Sequence, residues 1–78
     1  MSEVTVYSRP GCPFCMSLRS GLERAGLDFT EIDIWQDPDA AAVVRSIADG
    51  NETVPTVVVG GWKAVNPSAS EVLAAAGE

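Results

Sequence analysis

Val4 and Val6 alternate with Thr5 and Tyr7, so residues 3–8 read as a strand of period two. Pro10-Gly11 ends that strand. A helix is expected to follow, with Cys12 at its N-cap and Pro13 at the first helical position, where a missing N–H costs nothing. Cys15, Leu18, Leu22 and Ala25 recur at helical spacing, and Ser17, Arg19, Glu23 and Arg24 fall mostly on the other side. Gly26 is the expected C-terminal stop. Residues 29–34 form a second apolar–polar alternation. Asp37-Pro38 then opens a second helix as N-cap and first residue, with Asp39 suited to the helix N-terminus. That helix runs from Ala40 to Ala48 with Val44 and Ile47 or Ala48 inward, and Gly50 closes it.

Thr56-Val57-Val58-Val59 is nearly all apolar, as a strand covered on both faces should be. Gly60-Gly61 fits a two-residue hairpin turn into a short strand from Trp62 to Val65. A last helix starts at Pro67-Ser68-Ala69-Ser70-Glu71, where Ser68 and Glu71 have the spacing of a capping box, and Leu73 and Ala76 face inward. The order β-α-β-α-β-β-α predicts a parallel pair from the first two strands and an antiparallel edge from the late hairpin. The expected architecture is an α/β fold with a small mixed sheet, one domain over residues 1–78. Chemistry is expected at the carboxyl end of the first strand, where both cysteines lie.

Charge and composition narrow the function. The net charge is −6, and the five basic residues, Arg9, Arg19, Arg24, Arg45 and Lys63, form no stripe. Nucleic-acid binding is therefore not expected. The absence of histidine removes imidazole catalysis and every histidine-containing metal site. No apolar run approaches the ~20 residues that span a bilayer, so no membrane association is expected. Met1-Ser2-Glu3-Val4 has neither the basic nor the apolar region of a signal peptide. The cytoplasm is the expected compartment, where a stable structural disulfide is not anticipated.

The two cysteines stand as Cys12-Pro13-Phe14-Cys15, preceded by Arg9-Pro10-Gly11. Such a pair can be a redox dithiol, part of a metal site or two inert thiols. Zinc usually takes four ligands as two separated pairs, and this chain has one pair and no histidine, so no metal site is assigned. A cluster shared between two chains stays open. The redox reading ranks first, because a helix N-terminus favours negative charge on Cys12 and Arg9 can add to that field. Together they are expected to bring the Cys12 pKa from ~8.5 into the range of ~3.5–7. Cys15, one turn on and on the apolar side, is expected to be more buried and to resolve a mixed disulfide on Cys12. Phe14 is expected at the exposed middle of the motif. Trp35 and Trp62 read as packing residues. Glu31 and Asp33 read as solvent-facing strand residues, one of them a potential proton acceptor near Cys15.

This order of elements, with Cys12-Pro13-Phe14-Cys15 and Thr53-Val54-Pro55, resembles the thioredoxin fold and specifically the glutaredoxin family over the whole chain. Cys-Pro-Phe-Cys is close to the family's Cys-Pro-Tyr-Cys. The resemblance implies a cis bond before Pro55 and backbone pairing of Val54, beside Thr53, with the cysteinyl part of a substrate. Within the family the chain is most similar to the mycoredoxin branch. Gly50-Asn51-x-Thr53-Val54-Pro55-Thr56-Val57 and Asn66-Pro67-Ser68-Ala69-x-Glu71-Val72 carry that similarity. Glutathione-type members instead carry Gly-Gly followed by Cys or Ser and Asp after the fourth strand, residues that grip a carboxylate. The branch often has Gly-Tyr between its cysteines and a basic residue where this chain has Glu52.

The resemblance implies a thiol–disulfide oxidoreductase with no bound cofactor, acting on S-thiolated proteins. Mycothiol is favoured over glutathione as the reducing co-substrate. Mycothiol is an acetylated cysteine on an amino sugar and inositol, without a carboxylate, and Asn66 and Ser68 supply hydroxyl-matching groups. Cys12 is the implied nucleophile and Cys15 the resolving thiol, with Arg9, Phe14, Thr53, Val54, Pro55, Asn66 and Ser68 as the implied binding set for the small thiol. A flavoprotein disulfide reductase is the further implied partner, and the implied state is a monomer. Two alternatives rank lower. A redoxin donating electrons to ribonucleotide reductase typically has Val-Gln between its cysteines and a C-terminal Trp-Ser-Gly-Phe. An iron–sulfur carrier typically has a single-cysteine Cys-Gly-Phe-Ser motif. Local readings of the rim also stand: Ser68 as a helix cap, Asn66 as a turn former and Pro55 as a strand start.

Overall fold

The computed structural model describes residues 3–77, so Met1 and Ser2 of the leader reading lie outside the described residues. The elements are β1 (Val4–Ser8), α1 (Pro13–Arg24), β2 (Thr30–Asp33), α2 (Pro38–Ile47), β3 (Thr56–Val59), β4 (Trp62–Val65) and α3 (Ala69–Ala75). The sheet has the order β2-β1-β3-β4, with β2 parallel to β1 and the other two pairings antiparallel. Among the described residues no helix is long and apolar enough to cross a membrane.

Strand direction places the site. β4 runs antiparallel to β3, which runs antiparallel to β1, so β1, β2 and β4 all end on one side. β3 begins on that same side. Four chain segments therefore meet there: Arg9–Cys12 after β1, Ile34–Gln36 after β2, Thr53–Pro55 before β3 and Asn66–Ser68 after β4.

The two sheet faces bury separate clusters. Val4, Val6, Val57 and Val59 pack with Leu18 and Leu22 of α1 and Val72 of α3. On the other side Ala40, Ala41 and Val44 of α2 pack with Ile34, Val54 and both cysteines, and Tyr7 and Ile32 flank them. The alternation in β1 sends Val4 and Val6 one way and Tyr7 the other, so one short strand serves both clusters.

Local chemistry sets the element ends. α1 closes in a Schellman motif: Gly26 N–H donates to the Glu23 carbonyl at 3.0 Å and Leu27 N–H to the Leu22 carbonyl at 3.1 Å, with Gly26 at φ +74°. Asp37 caps α2 by accepting from the Asp39 and Ala40 amides, and the helix ends at Ala48, before Gly50. Ser68 and Glu71 make the full capping box of α3.

Several sequence expectations are corrected. β2 is shorter than residues 29–34, because the Asp33 carboxylate takes the Trp35 amide at 2.9 Å and the Asp33 carbonyl takes the Gln36 amide, turning the chain. Ala25 is exposed, since the Schellman turn lifts it off the sheet. Val72, not singled out from the sequence, is the fully buried residue of α3, while Leu73 and Ala76 pack against the same core as expected, partly covered. Val44 is buried and Ala48 packs against the cluster, as expected, and Ala40 and Ala41 join them on the inner face of α2. Trp35 is 62% exposed and not a packing residue, whereas Trp62 does pack on the core. Glu31 does not face solvent freely: its carboxylate accepts from Arg19 Nη2 at 2.6 Å and from Ser8 Oγ at 2.9 Å.

The Arg19–Glu31 pair ties α1 to β2. Burial pulls the Glu31 carboxyl upward, but the hydrogen bonds from Arg19 and Ser8 and the charge of Arg19 outweigh it, leaving the pKa below its ordinary value. The hydrogen bond to Glu31 raises the Arg19 pKa in turn. A lowered folded value gives stability that is present above the unfolded carboxylate pKa of ~4.3 and is lost as pH falls through the folded value. Denaturant midpoints measured from neutral pH to pH ~3 are expected to fall less steeply for Glu31→Gln than for the parent protein below that point. Equal acid slopes would remove the pair from the pH dependence.

α1 and α3 approach closely at Gly21. A Cβ there would lie 2.7 Å from Ala69 Cβ, and both atoms are fixed to backbone. Gly21→Ala gains about 1 kcal/mol of helix propensity, against an overpacking cost of about 1–3 kcal/mol. The denaturant midpoint is expected to drop, and adding Ala69→Gly is expected to restore it. A midpoint that rises in the single variant would mean α3 yields freely.

Candidate functional site

Gly11, at φ +73°, turns the chain between β1 and α1 and delivers Cys12 to the helix N-cap. The Cys12 sulfur takes the capping role usually played by an oxygen: the Cys15 amide N–H points at Cys12 Sγ, 3.2 Å away. Cys12 and Cys15 are joined as a disulfide with Cα atoms 5.2 Å apart. Both residues are buried, at 3% and 1% exposure, so in the oxidised pair Cys15 is the more covered of the two by only a small margin. Burial follows from position, since both belong to the apolar cluster on the α2 side of the sheet.

The segment before β3 covers the sulfur. The Val54 carbonyl oxygen lies 3.9 Å from Cys12 Sγ, and the Val54–Pro55 bond is cis. Val54 and Pro55 are buried, whereas the Thr53 side chain is exposed and its carbonyl accepts the Thr56 hydroxyl at 2.7 Å. The Asn66 amide donates to the Pro55 carbonyl at 2.7 Å, fastening the α3 leader to this segment. Asn66 sits at φ +53°, a left-handed conformation that asparagine tolerates better than most residues.

A groove of about 410 Å³ runs between α1 and α3, lined by Phe14 of the Cys12–Cys15 motif with Ser17, Leu18, Asn66, Pro67, Ser68, Ala69 and Glu71; the cysteines and Thr53, Val54 and Pro55 do not line it. It brings together three residues singled out from the sequence, Phe14, Asn66 and Ser68. Phe14 is 65% exposed at its mouth. The Ser68 hydroxyl accepts the Glu71 amide at 3.2 Å, so its capping role and its place in the groove coexist. Ser17 and Glu71 were not singled out. Ser17 follows Phe14 by three residues on α1, a spacing that already puts the two on one helix face.

Arg9 lies apart from this groove. Its guanidinium stacks over the exposed Trp35 ring, 5.8 Å from the centroid. It lines a second pocket of about 300 Å³ with Ser8, Pro10, Arg19, Glu31 and Asp33. Glu31, weighed as a proton acceptor for Cys15, is bound to Arg19 and Ser8. Glu52, next to Thr53, is paired with Arg45 at 2.6 Å. Among the described residues no group of three or more cysteine or acidic side chains is placed to hold a metal ion.

Residues 4–62 match the Glutaredoxin family model. Over 75 residues, 95% of this chain and 92% of the relative, the chain is 47% identical to Mycoredoxin 1 of Corynebacterium glutamicum. Among solved structures it is similar to the glutaredoxin of Archaeoglobus fulgidus, with a TM-score of 0.77, 29% identity, and coverage of 95% of this chain and 85% of that one. It is also similar to the glutaredoxin-like protein NrdH-redoxin from Escherichia coli, with a TM-score of 0.71, 30% identity, and coverage of 81% and 80%. With its dithiol at the start of α1 in a thioredoxin fold and a family match running from β1 into β4, the chain belongs to the glutaredoxin family of thiol–disulfide oxidoreductases.

Proposed function

We propose that this protein reduces mixed disulfides between proteins and mycothiol, in the cytoplasm and as a monomer. One observation carries the choice of small thiol. The groove that Phe14 shares with the α3 leader has Ser17, Asn66, Ser68 and Glu71 as its polar lining residues, beside Phe14, Leu18, Pro67 and Ala69, and no lysine or arginine among them. Glutathione brings two carboxylates, which reward cations and are repelled by Glu71. Mycothiol brings neutral hydroxyls and amides, which hydroxyl, amide and carboxylate side chains can match. Glu52, which stands where glutaredoxins often carry a basic residue, is paired with Arg45 and offers no cation to glutathione. The 47% identity to Mycoredoxin 1 supports the same branch.

In the reduced protein the Cys15 amide and the α1 N-terminus stabilise a Cys12 thiolate. That thiolate attacks the mycothiol sulfur of the mixed disulfide. A Cys12–mycothiol disulfide forms, and the protein thiolate leaves with the electron pair and takes a proton from solvent. A second mycothiol thiolate attacks the mycothiol sulfur, forming mycothiol disulfide and releasing Cys12. Alternatively, Cys15 as thiolate attacks Cys12 Sγ, expels mycothiol and closes the Cys12–Cys15 disulfide. Two mycothiol molecules, or a flavoprotein disulfide reductase, then supply the two electrons that reopen it.

The test is turnover of one peptide carried as its mycothiol and its glutathione mixed disulfide. A preference for mycothiol of about tenfold or more in kcat/KM is expected, the equivalent of one lost charge-assisted contact. Cys12→Ser is expected to abolish turnover, and Cys15→Ser to retain the route that uses a second mycothiol. Equal or better use of glutathione would overturn the choice of thiol, and full activity without Cys12 would overturn the mechanism.

A further inference from the structure

A mixed disulfide has two halves, and the groove between α1 and α3 accounts for the small one. The dithiol has a second flank. Ile34 packs in the same cluster as both cysteines, and its amide donates to the Ser8 carbonyl at 2.9 Å. The next residue, Trp35, is turned outward by the Asp33 contacts and left 62% exposed. Arg9, three residues before Cys12, stacks on its ring. The groove is lined by the segment that follows β4, whereas Trp35 follows β2 at the opposite edge of the sheet. Tryptophan and arginine are residue types enriched among interface anchors, and here an exposed tryptophan lies under a neighbouring arginine.

Charge selects the occupant. Along the chain the tryptophan is flanked by Asp33, Asp37 and Asp39; the Asp33 and Asp37 carboxylates accept backbone amides of the turn and of α2, Asp39 is exposed, and Arg9 stacks on the ring. Protein cysteines that become S-thiolated are those with thiolate character, and cations around a thiol create that character. The protein half of such a disulfide therefore arrives with positive potential around its sulfur. We propose that Trp35, with Asp39 and its neighbouring aspartates, is the docking surface for the protein half of the substrate, a polypeptide segment with lysine or arginine flanking the disulfide-bonded cysteine. This rests on the proposed use of S-thiolated proteins as substrates. Arg9 acts here by holding the ring, a positioning role rather than one in binding the small thiol.

The experiment compares three mixed disulfides of the same small thiol: with 2-mercaptoethanol, with a peptide carrying lysines beside its cysteine, and with a peptide carrying glutamates there. The basic peptide is expected to have the highest kcat/KM, with an advantage over the acidic one that shrinks as salt is raised. Trp35→Ala is expected to lower kcat/KM for the basic peptide about tenfold while leaving the 2-mercaptoethanol disulfide within about twofold. Asp39→Asn, which keeps the ring, is expected to lower the basic-peptide advantage and its salt dependence. A loss shared equally by all three substrates in Trp35→Ala, or a basic peptide used no better than the acidic one, would overturn the docking surface. No turnover of any substrate by the unmodified protein would instead overturn the proposed function, and the surface with it.

Discussion

The fold is arranged around one sulfur atom. Cys12 Sγ sits at the head of α1, facing the Cys15 amide on one side and the Val54 carbonyl on the other. A helix terminus has unsatisfied N–H groups, and here a sulfur occupies the capping place. That arrangement requires a sharp stop after β1, a helix that starts at Pro13, and a β3 leader that reaches back across the sheet. The left-handed turn at Gly11 meets the first, and proline at the first helical position meets the second. The β1–β3 pairing, with Tyr7 opposite Thr56, brings the Val54–Pro55 segment to the right end.

The same pairing explains why the two flanks of the dithiol differ. Toward β4, the Asn66 backbone amide fastens the α3 leader to Pro55, and the groove between α1 and α3 mixes Ser17, Asn66, Ser68 and Glu71 with Phe14, Leu18, Pro67 and Ala69. Toward β2, the Asp33 turn pushes an aromatic ring outward under an arginine. In the proposed function the small hydroxyl-rich half of the substrate takes the first flank and the polypeptide half the second. The disulfide itself stays buried between them, held in the cluster that also anchors α2.

Much of this is legible in the sequence, for physical reasons. Helix starts at Cys12-Pro13, Asp37-Pro38 and Ser68 are local chemistry, set within three or four residues, and all three occur as read. The Val57 and Val59 pattern announces a central strand, and β3 is one. What escapes is set by contacts between distant segments. The exposure of Trp35 depends on where β2 stops, which depends on a side-chain turn at Asp33. The stacking of Arg9 on that same ring is likewise set by a contact between separate segments. Glu31 looks like an alternating surface residue until Arg19, from another element, pairs with it. Within the site, Phe14 and Cys15 follow from helix position, whereas the meeting of Ser17 with Glu71 needs α1 and α3 packed together.

The most direct test of the account is a structure of the Cys15→Ser protein trapped as its mixed disulfide with mycothiol. The account predicts the bond at Cys12, with the sugar and inositol lying in the groove between Phe14, Ser17 and the Asn66–Glu71 segment, and the Trp35 flank left free. A small thiol seated against Arg9 and Trp35, or attachment at any position other than Cys12, would contradict it.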